Sequence, residues 1–378
     1  MLPKNKKSSL GQFYTTNYEY ILTGFSQPPS EIQIIEPFVG NGDLLNFISN
    51  RNIFTIESYD IDPKHDWVIE RDTILNPPDY TNKYVITNPP YLARNKSNNK
   101  TAYDKYDAND LYKCFLLALI AGNACGGILI IPVNFISSIR ASDISLRKRF
   151  LEKYDITRIN IFEEQVFNDT SYSVCSLQFV RNLRFLDGTS LSPPVINFVK
   201  DHPFQGGRAF VKNNSTAEIK PIPCYVFPGE KLLENIYLTD ANNYTIGGEI
   251  YNLPLSSTYT ITRATKDYNA EHITNILVKC LDDSAERRIA LSYVSDEDRV
   301  IDNTNNLTER SYATLVIEPS ISSEKQKWLI DQFNQFLNAE REKYNSLFLT
   351  NYRESTSIAR KRISFGLVFQ ICSYLLSE

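Results

Sequence analysis

The chain is poor in the residues that build metal sites. Its 378 residues include three histidines and six cysteines, and no two of the cysteines form a CxxC pair. Because a structural zinc site needs clustered His and Cys ligands, the sequence predicts no metal centre. The scattered cysteines instead indicate reduced thiols in a cytoplasmic protein.

Long apolar runs and an excess of positive charge are also missing. The first residues, MLPKNKKSSLGQF, lack the apolar core of a signal peptide, and no run approaches the length of a membrane-spanning helix. We therefore expect no membrane partner. The 40 Lys and Arg residues are outnumbered by 44 Asp and Glu residues, for a net charge of −4. This argues against a protein that coats nucleic acid with its whole surface, although a local basic face would still permit DNA binding.

Short apolar runs and helix-like segments alternate through the first half of the chain. Strands are predicted at residues 32–38, 54–61, 84–87, 128–133, 156–162 and 173–180, and helices at 44–48 and 111–124. This alternation predicts a parallel sheet flanked by helices. After about Arg184 the sequence pattern changes to short predicted strands that are interrupted by Pro and Gly residues. A predicted helix around Phe333 follows. The length of the chain and this change in sequence pattern together predict two domains, residues 1–190 and 191–378.

Residues 34–43, IIEPFVGNGD, have the pattern of a strand, a tight turn and the start of a helix. Gly40 and Gly42 allow the backbone to approach a ligand closely and to adopt positive φ. A GxG pair also fits an ordinary turn. However, Asp60 and Asp62 follow about 20 residues later at the end of the next predicted strand, where a carboxylate meets ribose hydroxyls in doubly wound sheets. Leu45 replaces the third glycine of a dinucleotide fingerprint, which favours a ligand without a pyrophosphate, such as S-adenosylmethionine.

The sequence Asn88-Pro89-Pro90-Tyr91 follows the predicted strand 84–87. The two prolines fix the backbone, so the Asn88 amide and the Pro89 carbonyl form a rigid pair of acceptors for the two hydrogens of an amino group. An aromatic amine is a poor nucleophile because its lone pair is delocalised into the ring. Accepting both N–H bonds localises that lone pair for attack. A rigid turn without chemistry is the alternative, which the preceding glycine loop and carboxylate disfavour.

Together these motifs resemble the gamma-class, TaqI-like N6-adenine DNA methyltransferases of restriction-modification type. The motifs occur in the order GQFYTT at 11–16, EPFVGNG at 36–42, YDIDP at 59–63 and NPPY at 88–91. The resemblance covers about residues 8–182. It implies an α/β fold: a Rossmann-like class I S-adenosylmethionine-dependent methyltransferase sheet with a C-terminal mixed target-recognition domain.

The resemblance also implies roles for individual residues. The cofactor S-adenosylmethionine would be bound by Phe13, Thr15, Glu36, Gly40, Gly42, Asp60, Ile61 and Asp72. Within this set Asp60 would hold the ribose, Ile61 would pack on the adenine ring, and Asp72 would accept from the adenine amine. The catalytic set would be Asn88, Pro89, Pro90, Tyr91 and Phe167.

In the catalytic set Asn88 and Pro89 would grip the target amine, and Tyr91 and Phe167 would stack on the flipped base. Simpler alternatives remain for single residues. Phe167 could be a core aromatic residue, Asp72 a turn carboxylate and Thr15 a helix cap. Thr73 and Asn168 depart from the residues that are common at their positions in this class.

Double-stranded DNA is the implied partner, and its target base must leave the helix to be methylated. The polar segment Arg94–Asn109 is predicted to be a mobile loop over DNA, with Lys96 and Lys100 as contacts. Arg360, Lys361 and Arg362 are the candidate basic face for phosphates. A solvated loop and a charged helix end are the alternatives. The chain is expected to be a monomer that does not contact a membrane. A cognate restriction endonuclease is expected to be encoded nearby, without direct contact to this chain.

Two other functions are compatible with parts of the pattern. An NPPY methyltransferase can act on RNA or on a protein glutamine, because the motif grips any planar amine. The long C-terminal module and the N-terminal GQFYTT argue against this alternative. A non-catalytic DNA-binding relative is the second alternative, and the intact NPPY and glycine loop argue against it.

Overall fold

The computed structural model describes residues 11, 15–138, 140–161, 167, 174–181, 248–265, 267–282, 288–301, 311–344, 346, 348–353 and 359–377. The chain divides into two compact units, with described residues 11–181 in the first and 248–377 in the second. The predicted boundary between residues 190 and 191 lies outside the described residues, and it stays a prediction.

The first unit is built on a seven-stranded sheet. Its strands are β1 Ile34–Glu36, β2 Ile56–Asp60, β3 Ile69–Glu70, β4 Tyr84–Thr87, β5 Gly126–Pro132, β6 Tyr154–Ile161 and β7 Val174–Arg181. The strand order is β3-β2-β1-β4-β5-β7-β6, and β7 runs antiparallel to both of its neighbours while β1 to β5 are parallel. The large, mostly parallel sheet makes this unit an α/β fold, as the sequence predicted. The antiparallel strand is a departure from the all-parallel sheet that the alternation predicted.

Helices connect the strands of the first unit. They are α1 Tyr18–Ile21, α2 Thr101–Tyr106, α3 Leu111–Ala121, α4 Asn134–Ser137 and α5 Ala141–Lys153, with 3-10 turns at Asp43–Phe47, Arg51–Ile53 and Arg94–Lys96. Helix α3 begins where the Asp110 side chain accepts a hydrogen bond from the Tyr112 backbone N–H, a typical N-cap. Most of its apolar residues are buried, and it ends at Ala121, three residues before the end of the predicted helix 111–124.

Strand β5 lies at the centre of the core and is buried along its whole length. It starts two residues before the predicted strand, at Gly126. A Cβ atom at Gly127 would lie 2.2 Å from the carbonyl oxygen of Val85 on β4, so a side chain does not fit there. Glycine at this position therefore lets β4 and β5 pair closely. The preceding helix ends earlier, at Ala121, with Gly122 as its C-cap.

Hydrogen bonds from β6 and β7 hold the N-terminal segment on the sheet. Asn160 donates to the carbonyl oxygens of Ile21 and Thr23 at 3.1 and 3.0 Å. The Ser176 hydroxyl donates to the same Ile21 carbonyl at 2.6 Å, and the Gln178 amide donates to Ser26 O at 2.9 Å. These bonds satisfy an irregular backbone that would otherwise be costly to bury. They fix the segment that carries Thr15 towards the edge of the sheet.

The second unit combines antiparallel strands with two long helices. Its elements are β8 Thr260–Arg263, β9 Ile273–Lys279, β10 Ala290–Tyr293, β11 Tyr312–Glu318, α6 Ser323–Lys343, β12 Thr350–Arg353, β13 Ala359–Arg362 and α7 Phe365–Leu375. Four strands form a sheet in the order β10-β9-β11-β8, and β12 pairs with β13. Helix α6 lies on β9 and β10, and α7 lies on β8. This mixed architecture agrees with the predicted C-terminal module, including the helix around Phe333.

A buried ion pair stabilises the second unit. Arg341 on α6 donates to Asp282 Oδ1 at 3.0 Å and to Asp282 Oδ2 at 2.5 Å. Asp282 also accepts from the backbone N–H groups of Arg288 and Ile289. The charges are thus paired and hydrogen-bonded, as burial demands. Among the described residues, none of the helices is both long enough and apolar enough to cross a membrane.

Candidate active site

A cavity of about 320 Å³ lies at the carboxyl ends of β1, β2 and β4. This is the edge where open α/β sheets bind ligands. Its walls come from the glycine loop after β1, the end of β2, residues 71–75 after β3, the NPPY turn after β4, and residues 96–103. The cavity therefore brings together the motifs that the sequence singled out separately.

The glycine loop is shaped by positive φ angles and by Asp60. Gly40 and Gly42 have φ angles of 56° and 81°, a region that favours glycine. The buried carboxylate of Asp60, at the end of β2, accepts from the Gly40 N–H at 2.8 Å and from the Asp62 N–H at 2.8 Å. Asp60 thus clamps the loop to β2 while it lines the cavity. The sequence assigned Asp60 only a ribose contact, and it missed this clamp.

Glu36 presents an unusual carboxyl group to the cavity. It is 1% exposed, and its Oε1 accepts from the Thr87 hydroxyl at 2.5 Å and from the Phe38 N–H at 3.2 Å. Its Oε2 has no hydrogen-bond partner among the described residues. Burial raises the pKa of Glu36 to about 8; the two hydrogen bonds oppose this shift, and the negative charge of Asp60 adds to it. A cationic ligand group at Oε2 would satisfy both the open oxygen and the charge.

Asn88 lies at the rim of the same cavity. Its Nδ2 donates to Thr15 Oγ1 at 3.1 Å, across the gap between the N-terminal segment and β4. Thr15 is buried and lines the cavity, while the N-cap position of α1 is Asn17, so Thr15 is not a helix cap. Pro89 is buried and Pro90 lines the cavity. The NPPY turn is therefore placed as the sequence predicted.

The Tyr91 ring was predicted to stack on a flipped base, but its side chain is buried in this structure. The side chain is 1% exposed, and its hydroxyl lies against both Asn88 Oδ1 and the carbonyl oxygen of Ile130, the latter at 2.6 Å. Its ring presents no open face to a base in this structure. Stacking would require the ring to leave this position, whereas its hydroxyl already orients the Asn88 amide. Burial raises the pKa of Tyr91 well above its usual value, which keeps the hydroxyl a donor.

Two other apolar residues of the predicted sites, Phe167 and Ile61, lie in different surroundings. Phe167 is 2% exposed, which is the surrounding expected of a core aromatic residue. Ile61 is 46% exposed and lines the cavity, so it is available to a ring. Phe13 lies outside the described residues. The predicted stacking and cofactor roles of these three residues stay predictions.

Asp72 lines the cavity and also shapes the turn in which it lies. Its Oδ1 accepts from the backbone N–H groups of Ile74 and Leu75 at 3.1 and 2.9 Å. Asp72 therefore acts as a turn carboxylate, which was the simpler alternative. Its contact with the adenine amine of a cofactor stays a prediction. Thr73, which departs from the usual residue, donates its hydroxyl to the Pro37 carbonyl at 2.9 Å. It ties this turn to the glycine loop.

The segment Arg94–Asn109 is not the loop that its polar composition predicted. It contains a 3-10 turn and α2, and residues 96–99, 102 and 103 line the cavity. Lys96 is exposed, but the Lys100 ammonium donates to the carbonyl oxygens of Arg94 and Ser97. Lys100 is therefore engaged within its own segment. A Lys- and Asn-rich sequence looks alike in a DNA loop and in a cavity wall, so the sequence held no signal for this wall.

The predicted basic face near the C-terminus needs one correction. Lys361 is 2% exposed on β13, and its carbonyl accepts from the Asp282 N–H at 3.1 Å, so its side chain is not a surface contact for phosphate. Arg362 is half-buried. The side chain of Arg360 lies outside the described residues. Alternation along a strand turns neighbouring side chains to opposite faces, which a consecutive run of cations conceals.

The chain is similar to known proteins over part of its length. Residues 48–167 match the family described as Eco57I restriction-modification methylase. The chain is 28% identical over 216 residues to the Type II methyltransferases M.HincII and M.HindII of Haemophilus influenzae. These matches cover 51% of this chain and 42% and 41% of the two relatives, so the chain spans about two fifths of the length of the curated relatives it matches. The predicted resemblance to restriction-modification methyltransferases is confirmed.

Two solved structures of restriction-modification proteins are also similar. The methyltransferase subunit of a type I system from Streptococcus thermophilus has a TM-score of 0.34 and 14% identity, covering 46% of this chain and 45% of that chain. The type IIG restriction endonuclease BpuSI has a TM-score of 0.35 and 14% identity, covering 69% of this chain and 36% of that chain.

Proposed function

We propose that this chain, which matches restriction-modification methylases over residues 48–167, is a site-specific DNA methyltransferase that methylates the N6 amine of adenine with S-adenosylmethionine. One observation carries the proposal. Asn88 of the NPPY turn lines a cavity that Glu36 also lines, and among the described residues the buried Oε2 of Glu36 has no hydrogen-bond partner. An acceptor for an amine and an acceptor for a cation thus share one pocket.

The residues that line the cavity suit the successive parts of S-adenosylmethionine. The strand order β2-β1-β4 places Ile61 and Asp60 at one side, Glu36 in the middle and Asn88 at the other side. Ile61 and the ribose-facing carboxylate would hold the nucleoside, and Glu36 would hold the ammonium of the methionine part. When bound, the cofactor supplies an electrophilic methyl group on its sulfonium. In this arrangement the methyl group would be carried next to Asn88.

The NPPY turn would activate the target amine. The bond from Asn88 Nδ2 to Thr15 fixes the amide, so that Oδ1 is the acceptor on its other side. This oxygen lies against the Tyr91 hydroxyl, and in the proposed complex it would also accept one hydrogen of the target amine. The Pro89 carbonyl would accept the second hydrogen. Fixed acceptors of this kind stabilise the positive charge that develops on nitrogen during attack.

Adenine in duplex DNA is the substrate that this chemistry and the resemblance favour. Its amine is stacked and paired, so the base must be flipped out to reach Asn88. The second unit, with its mixed sheet and helices, would choose the target sequence. The chain would act as a monomer, and a cognate restriction endonuclease encoded nearby would cut unmethylated DNA.

Long-read sequencing tests the proposal directly. The chain is expressed in a methylation-deficient bacterial host, and its DNA should carry N6-methyladenine at one short recurring sequence. The Asn88→Ala variant, expressed to the same level, should leave that sequence unmodified. Unmodified DNA with the wild-type chain, together with methyl transfer from tritiated cofactor to RNA or to a glutamine-containing protein, would instead identify the other substrate classes.

A further inference from the structure

One wall of the cavity, residues 96–103, belongs to none of the cofactor motifs that the sequence revealed. The same cavity is also lined by residues 71–75, which follow β3 on the side proposed to hold the nucleoside. The two walls are 20 or more residues apart in sequence. Whatever joins them determines how the cavity is covered.

Two side chains at the end of α2 join these walls. The Tyr106 hydroxyl donates to the carbonyl oxygen of Ile74 at 2.8 Å, and the Lys105 ammonium donates to the carbonyl oxygen of Leu75 at 2.6 Å. Ile74 and Leu75 both line the cavity, whereas Lys105 and Tyr106 do not. Both bonds therefore come from side chains outside the cavity and hold the backbone of the wall formed by residues 71–75.

The wall that these bonds secure is itself a built element. The buried Tyr103 hydroxyl donates to the Leu92 carbonyl at 2.9 Å, directly after the NPPY turn. An ion pair of 2.6 Å joins Arg94 to Asp104 across the segment. Lys100 closes the intervening turn through two backbone carbonyls. These contacts tie the segment to α2, and the bonds of Tyr106 and Lys105 join it to residues 74 and 75.

We propose that Tyr106 and Lys105 are positioning residues that latch the wall 96–103 over the nucleoside end of the cofactor cavity, and that this latch controls how fast the cofactor leaves. The inference rests on the proposed function, because it takes the ligand to be S-adenosylmethionine. A ligand held between the two walls leaves only when they separate. Separation breaks both bonds, so removing them accelerates release more than it slows entry.

The test measures dissociation of S-adenosylmethionine by stopped-flow chase with the full chain. Tyr106→Phe and Lys105→Met each remove one donor and keep most of the side chain. Each variant should release the cofactor about threefold to tenfold faster, which is the effect of one net hydrogen bond, and the double variant should be faster still. Tyr154→Phe is the matched control, because its hydroxyl also donates to a backbone carbonyl, that of Leu119, at 3.1 Å and outside the cavity. It should release the cofactor at the wild-type rate.

The outcomes separate the latch from the proposed function. Release at the wild-type rate from the double variant overturns the latch alone. Failure of the wild-type chain to bind S-adenosylmethionine overturns the proposed function and the latch with it. If the double variant does not fold, hydrogen exchange of the wild-type chain decides the matter: bound cofactor should slow exchange of the amides of residues 97–106, and unchanged exchange there overturns the latch.

Discussion

The Tyr91 hydroxyl shares its single hydrogen between two acceptors, the side-chain oxygen of Asn88, three residues earlier in the same turn, and the carbonyl oxygen of Ile130. Tyr91 therefore orients the amide that is proposed to grip the target amine. Tyr91→Phe keeps the ring and removes this bond. We expect methyl transfer in single turnover to fall about tenfold, as for one lost hydrogen bond. Asn88→Ala should lower it by about two orders of magnitude, as for one preorganised polar contact.

The fluorescence of 2-aminopurine at the target position distinguishes orientation from stacking. If Tyr91 acts through its hydroxyl, Tyr91→Phe should flip the base like wild type while methylating slowly. Methyl transfer at the wild-type rate in Tyr91→Phe would show instead that only the ring matters. Both variants should bind the cofactor, because the glycine loop and Asp60 are unchanged.

Asp60 is expected to act on the cofactor through the glycine loop. Asp60→Asn replaces one carboxylate oxygen by an amide NH₂, which cannot accept from a backbone N–H. A buried charge-assisted bond is worth about 1.5–3 kcal/mol, so the dissociation constant for S-adenosylmethionine should rise by about tenfold or more. Asp62→Asn is the control, because that carboxylate pairs with Lys64 near the surface. Calorimetry with cofactor checks both variants, and equal affinities for Asp60→Asn and wild type would contradict the clamp.

Glu36 should make stability depend on pH. Burial raises its pKa from 4.5 to about 8, so the folded protein keeps a proton that the unfolded chain has lost. This contribution to the free energy of unfolding is full below about pH 4.5 and is lost as the pH rises towards about 8. Glu36→Gln, which is neutral throughout, should flatten the decline.

Thermal unfolding midpoints of the cofactor-free protein, measured from about pH 5 to about pH 8, check this expectation. Glu70→Gln on the exposed edge strand β3 should follow the wild-type curve. Parallel curves for Glu36→Gln and wild type would refute the raised pKa. Bound S-adenosylmethionine should reduce the wild-type decline as well, because its ammonium would favour the ionised carboxyl.

DNA binding should depend on salt despite the net negative charge. Each phosphate contact by Lys or Arg releases counterions and contributes a slope of about −0.9 to the logarithm of affinity against the logarithm of salt concentration. Arg362→Ala and Lys96→Ala should each flatten the measured slope by about that amount. Lys361→Met is the matched control, since this side chain is 2% exposed and should leave the slope unchanged. An unaltered slope in Arg362→Ala would place the basic face elsewhere.

The sequence predictions that the structure confirms depend on residues that are close to one another in the sequence. The run Tyr84–Thr87 is a strand with the predicted bounds, because four apolar or β-branched residues end at an Asn-Pro-Pro turn. Gly40 and Gly42 adopt the positive φ angles that a tight turn after a strand requires. Signals of this kind depend on residues that are close in sequence, and they suffice for the class of fold and for the cofactor loop.

The sequence by itself therefore determined the order of the elements, the glycine loop, the NPPY turn and the change in sequence pattern between the two halves of the chain. Only the tertiary structure decided that β7 runs antiparallel, that Lys361 is buried, that Tyr91 turns its hydroxyl to Asn88, and that residues 96–103 cover the cavity. Each of these depends on partners distant in sequence, such as Ile130 for Tyr91 and Ile74 for Tyr106. Such pairings are settled by packing and hydrogen-bond satisfaction across the whole fold, which the local pattern of residues does not encode.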